Sequence, residues 1–113
     1  MESCLFCKII GGEIPSSKVY EDEKVYAFRD INPQAPTHIL VVPKAHYKNV
    51  TECAENDAPL AGYILKVCAE IAKAEGLKSG FRLITNNGAD ACQSVEHMHV
   101  HILGGKKLAD NMG

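Results

Sequence analysis

No apolar run in this 113-residue chain approaches the length a membrane-spanning helix demands: the longest, Ile39 to Pro43, falls far short of the roughly 20 residues needed. The opening Met1-Glu2-Ser3-Cys4 lacks a basic segment followed by an apolar core, so no secretory signal is visible and a cytoplasmic location is expected. Concentrated positive charge is missing too. Twelve Lys and Arg against 14 Asp and Glu give a formal net charge of −2, and no basic cluster exceeds Lys106-Lys107. Polymeric nucleic acid is therefore a poor partner, because affinity for it rests on clustered positive charge displacing counterions. A single phosphate is a different matter, since backbone amides and histidines hold one without a basic surface. Five cysteines form an odd set in a chain without secretory features, which argues against a disulfide framework. Repeats and low-complexity tracts are absent, and the length suits one domain over residues 1–113.

What is present reads as α+β: an antiparallel sheet of about five strands with one long helix and a short N-terminal helix. Leu5, Phe6, Ile9 and Ile10 recur at helical spacing before Gly11-Gly12 ends the pattern. Lys18 to Glu21 and Lys24 to Arg29, rich in Val, Tyr and Phe, predict a hairpin closed at Asp22-Glu23. Asp30 to Pro36 holds two prolines and must be a loop, after which His38 to Val42 reads as a buried strand. Asp57 suits a helix N-cap with Pro59 in the first turn, and Leu60, Ile64, Val67, Cys68 and Ile71 carry the main helix to Gly76. Phe81 to Thr85 and His97 to Leu103 are the last strands, separated by a turn at Asn86-Asn87-Gly88.

The most informative segment is His97-Met98-His99-Val100-His101-Ile102-Leu103. Alternation on a strand puts His97, His99 and His101 on one face and turns Met98, Val100 and Ile102 toward the core. Imidazoles, with an unperturbed pKa near 6.5, can together supply a nucleophile, a proton donor and a hydrogen-bond donor at neutral pH. That combination suits phosphoryl or nucleotidyl transfer; the competing explanations are a solvated strand face or a metal-binding tract. His38, alone before an apolar run, reads as a satisfied, partly buried histidine. Cys4-Leu5-Phe6-Cys7 has the spacing of two thiolates on one Zn²⁺, with histidines from elsewhere completing a tetrahedron.

The histidine segment resembles the histidine triad motif of nucleotide-binding hydrolases and transferases. The resemblance extends through Gln93-Ser94-Val95, Asn86, Asp30 to His38 and Pro43-Lys44-Ala45-His46, and so covers nearly the whole chain. The ending Ile102-Leu103-Gly104-Gly105 resembles the Hint branch, the purine nucleoside phosphoramidases, more than the Fhit branch, which cleaves dinucleoside polyphosphates. The resemblance implies a purine nucleotide substrate, with His99 as nucleophile forming a nucleotidyl-histidine intermediate. It implies His101 at a non-bridging phosphate oxygen, Ser94 at the phosphate and leaving group, and His97 assisting His99. In the same way Asp30 and the Ile31 backbone would hold the ribose, Asn86 and Val95 would adjoin the phosphate, and Phe6, Ile9, Phe28 and Ile31 would line the purine pocket. It completes a structural zinc site as Cys4, Cys7, His46 and His97, which would leave only the His97 carbonyl to orient His99. A homodimer with one continuous sheet is also implied. Two departures stand out: Cys92 replaces a usual glycine of the phosphate loop, where the backbone should approach a ligand less closely. The tail from Lys106 lacks the Trp- and Pro-containing end of eukaryotic members. Three readings stay open: a phosphoramidase, a dinucleoside polyphosphate hydrolase, and a zinc-stabilised nucleotide-binding interaction module with weak turnover.

Overall fold

The computed structural model describes residues 3–111. Its elements are α1 (Leu5–Ile10), β1 (Lys18–Glu21), β2 (Val25–Arg29), β3 (Thr37–Pro43), α2 (Val50–Asn56), α3 (Ala58–Ala74), β4 (Phe81–Ile84) and β5 (Val100–Gly104). The strands form one sheet in the order β1-β2-β3-β5-β4, every neighbouring pair antiparallel. Among the described residues no helix is long and apolar enough to cross a membrane.

Strand alternation sorts the apolar residues into two cores. Val25, Ala27, Ile39, Val41, Val100 and Ile102 face α3, where Leu60, Ile64, Val67, Cys68 and Ile71 supply the matching stripe. Tyr26, Phe28, Leu40 and Val42 face the other way and are covered by Cys4, Phe6 and Ile9 of the α1 region. The expected caps form: Asp57 accepts from the Leu60 amide, with Pro59 in the first turn of α3.

Helix α2 has no counterpart among the expected elements. It is one short piece with a single buried residue, Cys53, so no periodicity announces it. Its signal is local: Asn49 accepts from the Glu52 amide at 2.9 Å while Glu52 accepts from the Lys48 amide at 2.8 Å, a variant of the reciprocal capping box. The last strand is shorter than expected, beginning at Val100 rather than His97. The ladder with β3 ends at the Val41–Val100 pair, and β3 itself closes on Pro43, which has no N–H to offer. Residues 97–99 instead bond to loops: the Met98 amide donates to the Tyr47 carbonyl at 2.7 Å, and Thr85 Oγ1 donates to the His99 carbonyl at 2.8 Å.

The β1–β2 hairpin is tied to α3 through one carboxylate. Asp22 accepts from the Lys24 and Val25 amides at 2.8 Å each, from the Tyr20 hydroxyl at 2.6 Å, and from the Tyr63 hydroxyl of α3. These donors hold its pKa well below the usual carboxylate range against the opposing effect of burial. Asp22→Ala removes an anchor shared by turn and helix and should cost about 2–3 kcal/mol, the scale of hydrogen bonds to a charged group. Urea unfolding at pH 7 measures the loss; a change within error of zero would show that the hairpin is held by its apolar face alone.

Candidate active site

His97 stands where α1, the end of β3 and the segment at His46 meet, and its two ring nitrogens have opposite roles. Nε2 lies 2.8 Å from the Pro43 carbonyl, which only accepts, so Nε2 carries the hydrogen and Nδ1 keeps its lone pair. That lone pair points at Cys4 Sγ (3.3 Å), Cys7 Sγ (3.5 Å) and His46 Nδ1 (3.1 Å), with Cys7 Sγ 3.4 Å from His46 Nδ1. Tetrahedral zinc, with bonds of about 2.3 Å to sulfur and 2.0 Å to nitrogen, sets neighbouring donors about 3.3–3.8 Å apart. The donor set and its spacing fit such an ion, and the Pro43 carbonyl supplies the outer hydrogen bond that metal-bound histidines usually have. All four residues expected at the cluster are there.

The His97 carbonyl serves the next histidine. It lies 2.8 Å from His99 Nδ1, which must donate, so the His99 Nε2 lone pair is free. Burial lowers the His99 pKa, partly offset by that carbonyl, and keeps the ring neutral near pH 7. The Phe6 ring packs edge-on against His99 at 5.0 Å, His97 at 5.9 Å and Phe28 at 5.6 Å, which places the α1 residues beside the triad.

His101 obtains its tautomer from His38. The Gln34 amide donates to His38 Nδ1 at 3.0 Å, so His38 Nε2 holds the hydrogen; it lies 2.9 Å from His101 Nδ1 and 3.4 Å from Asp30 Oδ2. Nδ1 of His101 therefore accepts, and its Nε2–H is left as a donor. Burial, reinforced by His99 and His38 and opposed by Asp30, pushes the His101 pKa down to about 4. Asp30, His38 and His101 bring three potential metal ligands together, but the Gln34 amide makes His38 a donor at the very atom that would have to ligate. His38 is thus satisfied, as its sequence context led one to expect, and it also sets the state of a triad histidine, which its sequence context did not show.

The remaining expected residues surround this row. Val95 packs on the Phe6–Phe28 core. Asn86 and His101 line a groove of about 830 Å³ that continues over β4 and β5 to the residues after Gly105. Ser94 is exposed beside Val95 and adjoins a smaller hollow with Cys4 and His46. Phe6, Ile9 and Phe28 are buried, whereas the Ile31 side chain stands 92% exposed on its loop. Gln93 shapes the 86–95 segment: its side chain accepts from the Gly88 amide and donates to the Lys48 and Val95 carbonyls. Composition gave no hint of that role. Cys92 adopts φ 58°, ψ 40°, the left-handed region glycine favours. The backbone thus takes a glycine-like path at a strain of about 1–2 kcal/mol, with the thiol exposed.

An α+β domain with a row of imidazoles on the sheet face that α1 partly covers is the class this geometry defines. The HIT domain family profile matches residues 11–108, and the chain belongs to that family. A 14 kDa zinc-binding protein of Zea mays is 53% identical over 106 residues, covering 92% of this chain and 83% of its own. Adenylylsulfatase HINT1 of Arabidopsis thaliana is 46% identical, covering 92% of this chain and 72% of its own. A HIT family hydrolase from Clostridium thermocellum superposes with a TM-score of 0.94 at 46% identity, covering 99% of this chain and 98% of that one.

The neutral His101 carries a pH signature. Its folded pKa of about 4 lies below the ordinary value near 6.5, so between those values the unfolded chain binds the extra proton and stability falls as pH falls. From pH 7 to pH 5 the group should account for about 2 kcal/mol of lost stability. His101→Gln should flatten the acid limb by that amount in paired urea titrations. Parallel limbs for the two proteins would show that His101 titrates normally.

Proposed function

We propose that this chain is a nucleotide-binding hydrolase of the Hint-like branch, cleaving the bond between the α-phosphorus of a purine nucleotide and an amine. The observation that carries the reading is the pairing of a free His99 Nε2 lone pair with a His101 Nε2–H donor on neighbouring rings 5.1 Å apart. One is a nucleophile and the other a donor for the charge that grows on phosphorus. His99 Nε2 forms a bond to phosphorus as the phosphorus–nitrogen bond of the substrate breaks. His101 holds a non-bridging oxygen, and the Ser94 hydroxyl passes a proton from solvent to the departing nitrogen, which leaves as a neutral amine. Water then attacks phosphorus, breaks the bond to His99 and restores the imidazole, releasing the nucleoside monophosphate. Phe6, Ile9 and Phe28 form the wall on which the purine rests together with Ile31. Asp30 holds the ribose, and Asn86 and Val95 border the phosphate.

The similarity to a HIT family hydrolase of Clostridium thermocellum and to a plant adenylylsulfatase supports hydrolysis at an adenylylated centre. The Cys4, Cys7, His46 and His97 cluster holds a structural zinc ion in this reading, fixing α1 to the triad segment; the zinc-binding relative supports it. A cytoplasmic homodimer of single HIT domains spanning residues 1–113 completes the proposal. Strand β4 ends the sheet, so its outer backbone groups are open to pairing with a second copy, beside the 41% exposed Phe81.

Steady-state hydrolysis of an adenosine phosphoramidate and a diadenosine polyphosphate, by wild type and His99→Ala, tests the reaction. Selective phosphoramidate turnover should fall by at least about a thousandfold in the variant, the scale expected when a nucleophile is removed. Preference for the polyphosphate would move the chain to the other branch, and nucleotide binding without turnover of either would make it an interaction module. Metal analysis of the purified chain should find one zinc per protomer. Cobalt substitution should give thiolate-to-metal absorption, and Cys7→Ser should lose both the metal and several degrees of melting temperature. Metal-free protein of unchanged stability would dismiss the zinc site.

A further inference from the structure

Cys4 and Cys7 offer two sulfurs to a cation, and they also offer them to each other. Cys4 is the N-cap of α1, and its Sγ accepts from the Cys7 amide at 3.3 Å, so it already lies over the residue that carries the second sulfur. Both sulfurs and the ring nitrogens of His46 and His97 lie within 4.8 Å of one another. Thiol–disulfide enzymes bridge the same Cys-x-x-Cys spacing, with sulfurs about 2.0 Å apart once bonded. The pair is also reachable: Cys7 is half-buried, and Cys4 borders a hollow of about 490 Å³ that Lys48, Ser94 and Glu96 share. Cys53 and Cys68, by contrast, are fully buried beneath α3, where thiols are inert.

A sulfur can serve the cluster or a disulfide, because only the thiolate binds a metal. The two states fasten different parts of the chain. Through the cluster, Cys4 meets His97 across 93 positions and Cys7 meets His46 across 39. A disulfide would join residues three positions apart, closing a loop too short to restrain anything beyond its own turn. Helix α1 has six residues and cannot hold its place by helicity alone. Phe6, between the two cysteines, is the ring that packs on His99 at 5.0 Å.

We infer that Cys4 and Cys7 form a thiol–disulfide switch: a peroxide converts the pair to a disulfide, the cluster gives up its zinc ion, and the Phe6 wall of the site loses its anchor. The inference rests on the zinc reading above. One thiolate attacks a peroxide oxygen, the O–O bond breaks, and the departing oxygen takes a proton and leaves as water. The second thiolate attacks the sulfenic acid so formed; the S–S bond forms, the S–O bond breaks, and that oxygen takes a proton and leaves as a second water. The sulfurs together lose two electrons, the peroxide gains them, and zinc departs as the same divalent cation.

The test adds hydrogen peroxide in small excess to the zinc-loaded chain at pH 7 and reads metal, thiols and nucleotide binding. A chromogenic chelator should register one zinc released per protomer, in step with the loss of two of the five thiols. The tryptic peptide of residues 1–8, which holds both cysteines, should lose two hydrogens in mass and carry no added oxygen. The dissociation constant for AMP should rise about two- to tenfold, the worth of one aromatic contact. Dithiothreitol with zinc should restore all of these. Zinc held while Cys92 alone is oxidised, or a 1–8 peptide carrying sulfinic or sulfonic acid in place of the bond, would overturn the inference. So would an AMP affinity that survives oxidation, since the switch would then not reach the site. Failure of the zinc reading shows earlier, as untreated protein without metal, and takes this inference with it. Failure of the hydrolase reading shows only in turnover, which none of these readouts uses.

Discussion

The site depends on the placement of one residue, His97. Its ring reaches the Cys4, Cys7 and His46 donors, its Nε2–H is held by Pro43 at the end of β3, and its carbonyl fixes the tautomer of His99. The ring is fully buried, so each of these polar atoms must find a partner inside the protein or incur a desolvation cost of about 1–3 kcal/mol. All of them do. A rotation of the ring would unseat the cluster, and a shift of the backbone would release His99 Nδ1. In the proposed reading, the geometry of the zinc ligands and that of the nucleophile would be set by the same few atoms.

The second core inherits this constraint. Helix α1 has six residues, far below the roughly 12–15 at which an isolated helix becomes even marginal in water. It is held by tertiary contacts: Phe6 and Ile9 bury against β2 and β3, and Cys4 and Cys7 bracket Phe6 at the cluster. Cys4 is also the N-cap, its sulfur accepting from the Cys7 amide. The aromatic wall beside His99 is consequently as well placed as the cysteine pair allows, and no better. The larger core beneath α3 has a long helix and needs no such fastening.

Alternation made most of this legible in advance. Apolar period two marked the strands, period 3.6 marked α3, and three histidines at every second position forced a common face whatever the strand's exact length. The start of β5 is not legible in the sequence because alternation continues through residues 97–99 although the ladder stops, at the end of β3 where Pro43, a residue distant in sequence, has no N–H to offer. Helix α2 was too short to show a period, and only the Asn49–Glu52 spacing betrayed it. The roles of His38 and Gln93 were illegible for a different reason. A lone histidine before an apolar strand and a glutamine in a loop carry no pattern, and each acquires its role from partners brought by another part of the chain, His101 for one and Gly88, Lys48 and Val95 for the other.

Two clusters of similar composition lie on this face, and backbone hydrogen bonds decide how they differ. In one, a carbonyl at Pro43 takes the outer hydrogen of His97 and turns a lone pair inward toward two sulfurs and a second imidazole. In the other, an amide at Gln34 takes the outer lone pair of His38 and turns a hydrogen inward toward His101 and Asp30. The first arrangement gathers lone pairs, which only a cation or protons can reconcile. The second passes a hydrogen-bond direction along a row and ends on a donor at His101 Nε2. Side chains of the same type thus present a lone pair or a hydrogen inward according to whether the chain offers them an oxygen or an N–H from behind, and in the proposed reading the first would ligate zinc. The choice is made by loop conformation around two prolines, Pro43 and Pro36, the latter packed beside Gly105 where an added Cβ would lie 3.0 Å from its ring. The loops on either side of β3 therefore matter to the proposed chemistry as much as the histidines do, because they fix which atom of each imidazole is left unpartnered.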